Sequence, residues 1–126
     1  MTAAIKTLSI LLFLGLISEG YGSGSRFCRN SDVNLNQSQS GAQVKGKPEW
    51  VVTITNKCPC VIQQVTLNCT GFQTVEPIDS STLKVSGDKC LLIDGKPINN
   101  DASVTFKYAS DKSFPFNAIN VAYNNC

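Results

Sequence analysis

Polar and apolar residues alternate along several short stretches of the chain. Trp50, Val52 and Ile54 share one side of a strand-like run while Thr53 and Thr55 share the other, and β-branched residues fill the segment. Val65, Leu67 and Cys69 alternate in the same way with Gln64, Thr66 and Asn68. Val104, Phe106 and Tyr108 alternate with Thr105 and Lys107, and Ile119, Val121 and Tyr123 with Ala118, Asn120 and Asn124. Val33 and Leu35 set against Asn34 and Asn36 make a weaker case. Turn-rich pieces separate these runs: SQSGAQVKGKPE, IDSSTL, VSGDK, IDGKPINND and SDKSFPF. The pattern predicts an all-β fold, a small antiparallel β-sandwich of about six to seven strands.

One run departs from alternation. Leu8 to Ile17 (LSILLFLGLI) are almost wholly apolar, follow the basic Lys6 and lead into the small residues of SEGYGSG. That is the three-part layout of a secretory signal peptide, with its apolar part as a helix. A bilayer-spanning helix takes roughly 20 apolar residues, so the run predicts export rather than anchoring. Cleavage after Gly20 or Gly22 satisfies the small-residue rule. The expected organisation is a signal peptide over residues 1–22, then one cysteine-rich β-sandwich domain over residues 23–126. No later stretch is apolar enough to insert into a membrane after signal cleavage.

Export changes how the cysteines read. Cys28, Cys58, Cys60, Cys69, Cys90 and Cys126 all follow the signal. A domain of this size buries a modest core, and an even number of cysteines in a short exported chain predicts three disulfides stapling it. Metal and redox alternatives lack their parts. The chain has no histidine, so mixed cysteine–histidine zinc sites are excluded, and the single close pair is C-x-C rather than C-x-x-C. Bonding Cys58 to Cys60 needs a strained small ring, so each is expected to reach a different part of the chain. If the first two strands form a hairpin, Cys28 comes near Cys58 or Cys60.

Little catalytic equipment is available. Without histidine there is no Ser-His-Asp triad, no Cys-His pair and no imidazole base. The acids Asp32, Glu49, Glu76, Asp79, Asp88, Asp94, Asp101 and Asp111 are expected in turns or in solvent. The expectation is a non-enzyme with no cofactor and no metal site. The net charge of +2 comes with lysines scattered singly, which argues against nucleic acid as a partner. Two N-glycosylation sequons place Asn36 and Asn68 on the polar faces of their strands. Phe72 and the Phe114-Pro115-Phe116 loop are candidate partner-binding residues, although such a loop is more often a corner folded onto the core. Trp50 fits a buried strand face, the alternative being a platform for sugar.

The ordered motifs carry a resemblance. Cys28, Asp32-Val33-x-Leu35-x-Gln37, Gly46-x-Pro48-Glu49-Trp50, Asn56-x-Cys58-x-Cys60 and Cys69-x-Gly71-Phe72 come first. Ile78-Asp79, Cys90-Leu91, Gly95-x-Pro97-Ile98, Phe106-x-Tyr108-Ala109, Phe114-Pro115-Phe116 and Cys126 follow. Together they resemble the plant tapetum determinant-like family from about Cys28 to Cys126. The resemblance implies a small, secreted, cysteine-rich signalling protein of the apoplast. It also implies a leucine-rich-repeat receptor kinase ectodomain as partner and a role in cell fate in reproductive tissue. The alternative function is an apoplastic carbohydrate- or cell-wall-binding module without catalysis.

Overall fold

The computed structural model describes residues 28–124; the expected signal-peptide helix (residues 1–22) and Cys126 lie outside them. The strands are β1 (Val33–Val44), β2 (Lys47–Asn56), β3 (Val61–Asn68), β4 (Leu83–Ser86), β5 (Lys89–Leu92), β6 (Ser103–Ala109) and β7 (Asn117–Asn124). Single 3-10 turns at Asn30–Asp32 and Ile93–Gly95 are the only helical pieces among the described residues. The strands form two antiparallel sheets, ordered β1-β2-β6 and β4-β5-β3-β7. The architecture is therefore the expected all-β one, with seven strands in the described residues.

The alternation of β2 and β6 translates directly into burial. Val52, Ile54, Phe106 and Tyr108 point inward, while Thr53, Thr105 and Lys107 stay on the outer face. They meet Ile62, Val65, Leu67, Leu83 and Leu92 of the second sheet in one core. β1 and β2 are joined by the two-residue turn Lys45-Gly46, both at positive φ (51° and 79°). Such primed turns match the twist of paired strands, and the glycine supplies the left-handed position without a Cβ penalty.

Three features depart from the expected pattern. First, Ser38 to Val44, read as part of a turn-rich piece, belong to β1 and pair with the start of β2. The segment is polar and lies open to solvent, so no alternation marks it, and the backbone ladder together with the Ser40–Glu49 hydrogen bond holds it. Second, Gln64 adopts φ 52° at a register slip between Gln63 and Thr66. This bulge lets both Ile62 and Val65 reach the core although they are three residues apart. Third, β7 carries a compensating slip. Thr66 faces Asn120 and Leu67 faces Ala118, leaving Ile119 as the extra residue. Ala118 and Val121 pack on the core, whereas Ile119 and Tyr123 remain 37% and 42% exposed. The face expected of Ile119 and Tyr123 is corrected accordingly: an inserted residue turns the side chains beyond it, and an edge strand leaves its ends uncovered.

Candidate functional site

The β2–β3 connection is the covalent and polar junction of the fold. Cys28 is bonded to Cys58, and Cys69 to Cys90, with Cα–Cα distances of 5.5 and 6.0 Å. The β1–β2 hairpin brings the first pair together, because Val33 lies opposite Asn56 and Cys28 precedes β1 just as Cys58 follows β2. Cys60 is also disulfide-bonded. The sulfurs of Cys28, Cys58 and Cys60 lie within 4.8 Å of one another, yet each is in a disulfide and none is a thiolate that would ligate metal.

Asn56 organises this junction. It is 1% exposed, and its Nδ2 donates to the carbonyls of Cys60 and Ile98, each at 2.9 Å. Its Oδ1 accepts the Cys58 backbone N–H at 2.8 Å. Its own backbone bonds to Ala102 and Asp101. One amide thus shapes the Cys58-Pro59-Cys60 turn and ties it to the segment before β6. Alternation continues the inward phase of Val52 and Ile54 to Asn56, but gives no sign of the partners that its amide finds there.

The opposite feature is an aromatic cluster. Phe72 packs edge-on against Tyr108, Phe114 and Phe116 with ring centroids 5.3, 5.2 and 5.2 Å away. Phe106 and Phe116 meet at 5.6 Å. Phe116 is 6% exposed, Phe72 and Phe114 are half-buried, and Pro115 is exposed. Of the four candidate contact residues, the three rings therefore support the core and Pro115 faces solvent. Trp50 is half-buried, stacks on Tyr108 at 6.4 Å and donates its indole N–H to the Ser110 carbonyl at 3.1 Å.

A polar clasp locks this corner. The Tyr108 hydroxyl donates to Gln37 Oε1 at 2.6 Å and accepts the Phe114 N–H at 2.9 Å. Gln37 Nε2 donates to the Phe114 carbonyl at 2.6 Å. Burial holds the Tyr108 phenol above its ordinary pKa, partly offset by the Phe114 N–H. Tyr108→Phe is expected to lower stability by about 1–3 kcal/mol, because Gln37 Oε1 and the Phe114 N–H lose a buried partner. Urea denaturation at fixed pH checks it, and an unchanged midpoint would show that the hydroxyl is dispensable.

Around the cluster, the segments 70–75 and 109–115 form two adjoining grooves of about 500 and 580 Å³ that share Gln73, Ser110 and Asp111. Lys47, at the start of β2, pairs with Asp111 at 2.9 Å across the first of them. This end of the molecule combines loops, shallow relief and mixed polarity on a rigid aromatic base, which suits a protein contact better than a closed ligand pocket.

The sequons differ in setting. Asn36 is exposed on the outer face of β1. Asn68 is half-buried; its Oδ1 accepts from the Thr70 hydroxyl at 2.7 Å, and its Nδ2 donates to Asn117 Oδ1 at 3.5 Å. Among the acids, Glu49 overturns the expectation of a solvated role. It is 8% exposed and accepts a 2.7 Å hydrogen bond from Ser40. No sequence signal marked it, since its neighbours Ser40, at a register shift of β1 between Gln39 and Gln43, and Glu76, on the β3–β4 crossover, are distant in the chain.

Comparison with known proteins agrees with this architecture of strands and staples. TPD1 protein homolog 1 of Arabidopsis thaliana is 28% identical over 114 residues, covering 85% of this chain and 64% of that protein. TPD1 protein homolog 1A of Oryza sativa subsp. japonica is 28% identical over 104 residues, covering 75% of this chain and 45% of the rice protein. TPD1 protein homolog 1B of the same rice is 26% identical over 128 residues, covering 93% and 76%. The chain thus spans less than two thirds of the length of the first two relatives. No solved structure matches it. The family model described as Tapetum determinant 1, C-terminal, matches residues 29–124, nearly the whole described domain, and the chain belongs to that family.

Proposed function

We propose that the protein is a secreted signalling ligand that binds the leucine-rich-repeat ectodomain of a receptor kinase and acts in plant cell differentiation by binding, without catalysis. Family membership over residues 29–124 is the observation that carries this reading. The N-terminal signal-like sequence and the disulfide staples fit an extracellular life. The contact surface we assign is the loop end, where Pro115, Asp111 and Gln73 stand over the aromatic cluster. Its support is rigid: the rings and the Gln37–Tyr108–Phe114 bonds pre-order the loops, so little conformational freedom is lost on docking.

The test is a binding screen of the oxidised protein against a panel of leucine-rich-repeat ectodomains. One ectodomain is expected to capture it, and Asp111→Lys, a change at an exposed position, is expected to weaken capture several-fold while leaving the unfolding midpoint near wild type. A panel without any binder would count against the receptor reading. Capture that ignores changes at Asp111, Gln73 and Pro115 would move the contact surface elsewhere.

A further inference from the structure

The β3–β4 crossover leaves the second sheet and runs along the free edge of β6 in the first. It is fastened there by one backbone–backbone bond and one bond from backbone to side chain. The Val75 N–H donates to the Ala109 carbonyl at 3.1 Å, and the Ala109 N–H donates to Thr74 Oγ1 at 2.9 Å. Thr74 Oγ1 also donates to the Glu76 carbonyl at 2.9 Å, which turns the chain so that the Glu76 side chain heads inward. There it comes near Glu49 of β2, close enough for a side-chain hydrogen bond to form between the two carboxyl groups. Glu76 Oε1 is shut off from solvent, and no donor among the described residues reaches it.

Two carboxylates cannot hydrogen-bond to each other unless one of them carries a proton. Glu49 is placed to remain the ionised partner, because the Ser40 hydroxyl donates to its Oε1 at 2.7 Å. Glu76 has no such donor and is placed to be the protonated one. We propose that Glu49 and Glu76 form a proton-binding latch: one proton shared between them fastens the β3–β4 crossover to the β1-β2-β6 sheet, and its loss as pH rises loosens that segment.

The groups facing the pair come from four elements: Ser40 on β1, Glu49 on β2, Lys107 on β6 and Glu76 on the crossover. Burial and the neighbouring Glu49 hold Glu76 above the ordinary carboxylate range, against a smaller opposing pull from Lys107. The Ser40 and Glu76 hydrogen bonds hold Glu49 below that range, with Lys107 assisting and burial opposing. The signs follow by linkage. A carboxyl whose folded pKa is raised contributes stability in its protonated form, and that contribution is lost as pH rises through the folded value. A carboxyl whose folded pKa is depressed contributes above its unfolded value, and that contribution is lost as pH falls through the folded one. The latch is therefore tightest in an acid window straddling the reference value of 4.5 and opens on the alkaline side. The crossover it holds contributes Gln73, Thr74 and Val75 to the loop-end groove, so the proton also shapes that surface. None of this depends on which partner, if any, the groove receives.

The test is a pair of pH series on the oxidised full-length domain. Carbon-13 NMR of the side-chain carboxyls in the wild-type protein is expected to show one glutamate titrating above the ordinary range and one below it. Amide hydrogen exchange, corrected for intrinsic rates, is expected to show a several-fold loss of protection at Val75 and Ala109 as pH rises past the higher transition, with core amides such as Phe106 unaffected. Glu76→Gln carries a permanent neutral donor and is expected to abolish that loss. Two ordinary glutamate titrations, or exchange at Val75 and Ala109 that does not change with pH, would overturn the latch. Glu76→Gln that retains the wild-type pH dependence would do the same.

Discussion

Replacing Asn56 by leucine is expected to cost about 2–5 kcal/mol of stability, since a buried donor or acceptor that loses its partner costs about 1–3 kcal/mol, and the Cys60 carbonyl and the Cys58 N–H both lose the amide while the Ile98 carbonyl keeps the Ile62 N–H. Leucine matches the shape of asparagine but can neither donate to the Cys60 and Ile98 carbonyls nor accept the Cys58 N–H. Those groups sit beside a side chain that is itself 1% exposed, so water does not readily replace it. For a single domain with roughly 5–15 kcal/mol in total, that is a large share. The same change should reduce the yield of correctly oxidised protein, because Asn56 sets the turn that aims Cys58 and Cys60. Asn56→Asp offers a control. It keeps the acceptor for Cys58 but points a carboxylate at two carbonyls, so its penalty should grow as pH rises. Urea unfolding across pH measures both variants, and a leucine variant within 1 kcal/mol of wild type, set against the roughly 1–3 kcal/mol expected for each lost partner, would refute the role.

The Cys28→Ala, Cys58→Ala double variant is the second large effect, expected at about 3–4 kcal/mol from the unfolded-chain freedom that a loop of this length regains. The bond spans 30 residues and closes the whole β1–β2 hairpin onto the junction. Cys69–Cys90 spans 21 and links strands that also share a backbone ladder at Leu67 and Cys90, so its removal should cost somewhat less. Non-reducing peptide maps should return these two pairs, and denaturation of the two double variants should rank them in this order. A map joining Cys28 to Cys90 would remove the basis for the ranking.

Much of the scaffold can be read from local pattern. Val52 and Ile54, or Phe106 and Tyr108, face the core because residues two apart on a strand share a side whatever the partner strand is. The signal-like N-terminal run and the even cysteine count likewise need no tertiary knowledge to suggest a stapled domain. Pattern fails where the chain breaks period two. The bulge at Gln64 and the extra residue Ile119 each shift the phase of a strand, and the two arise together only because β3 and β7 are neighbours. The polar half of β1 offers no alternation to detect, because a backbone ladder and the Ser40–Glu49 hydrogen bond hold it while most of its side chains stay in solvent.

The candidate site shows the same division. The motifs containing Gln37, Asn56, Tyr108 and Phe114 can be marked in the sequence, but their roles cannot. The Gln37–Tyr108 bond joins residues 71 apart and the Asn56–Ile98 bond residues 42 apart. Phe114 and Phe116 could suit display as well as the commoner burial until Phe72 and Tyr108 were brought beneath them. Glu49 and Glu76, 27 positions apart in the chain, became neighbours only when the crossover was fastened along the edge of β6. What the sequence by itself determined was the all-β class, the faces of the regular strands and the supply of cysteines, because each depends on residue type and near neighbours. Register, disulfide partners, the fate of the aromatic loop and the acid pair were decided by tertiary structure, because hydrogen bonds and burial act between residues that only the folded chain makes adjacent.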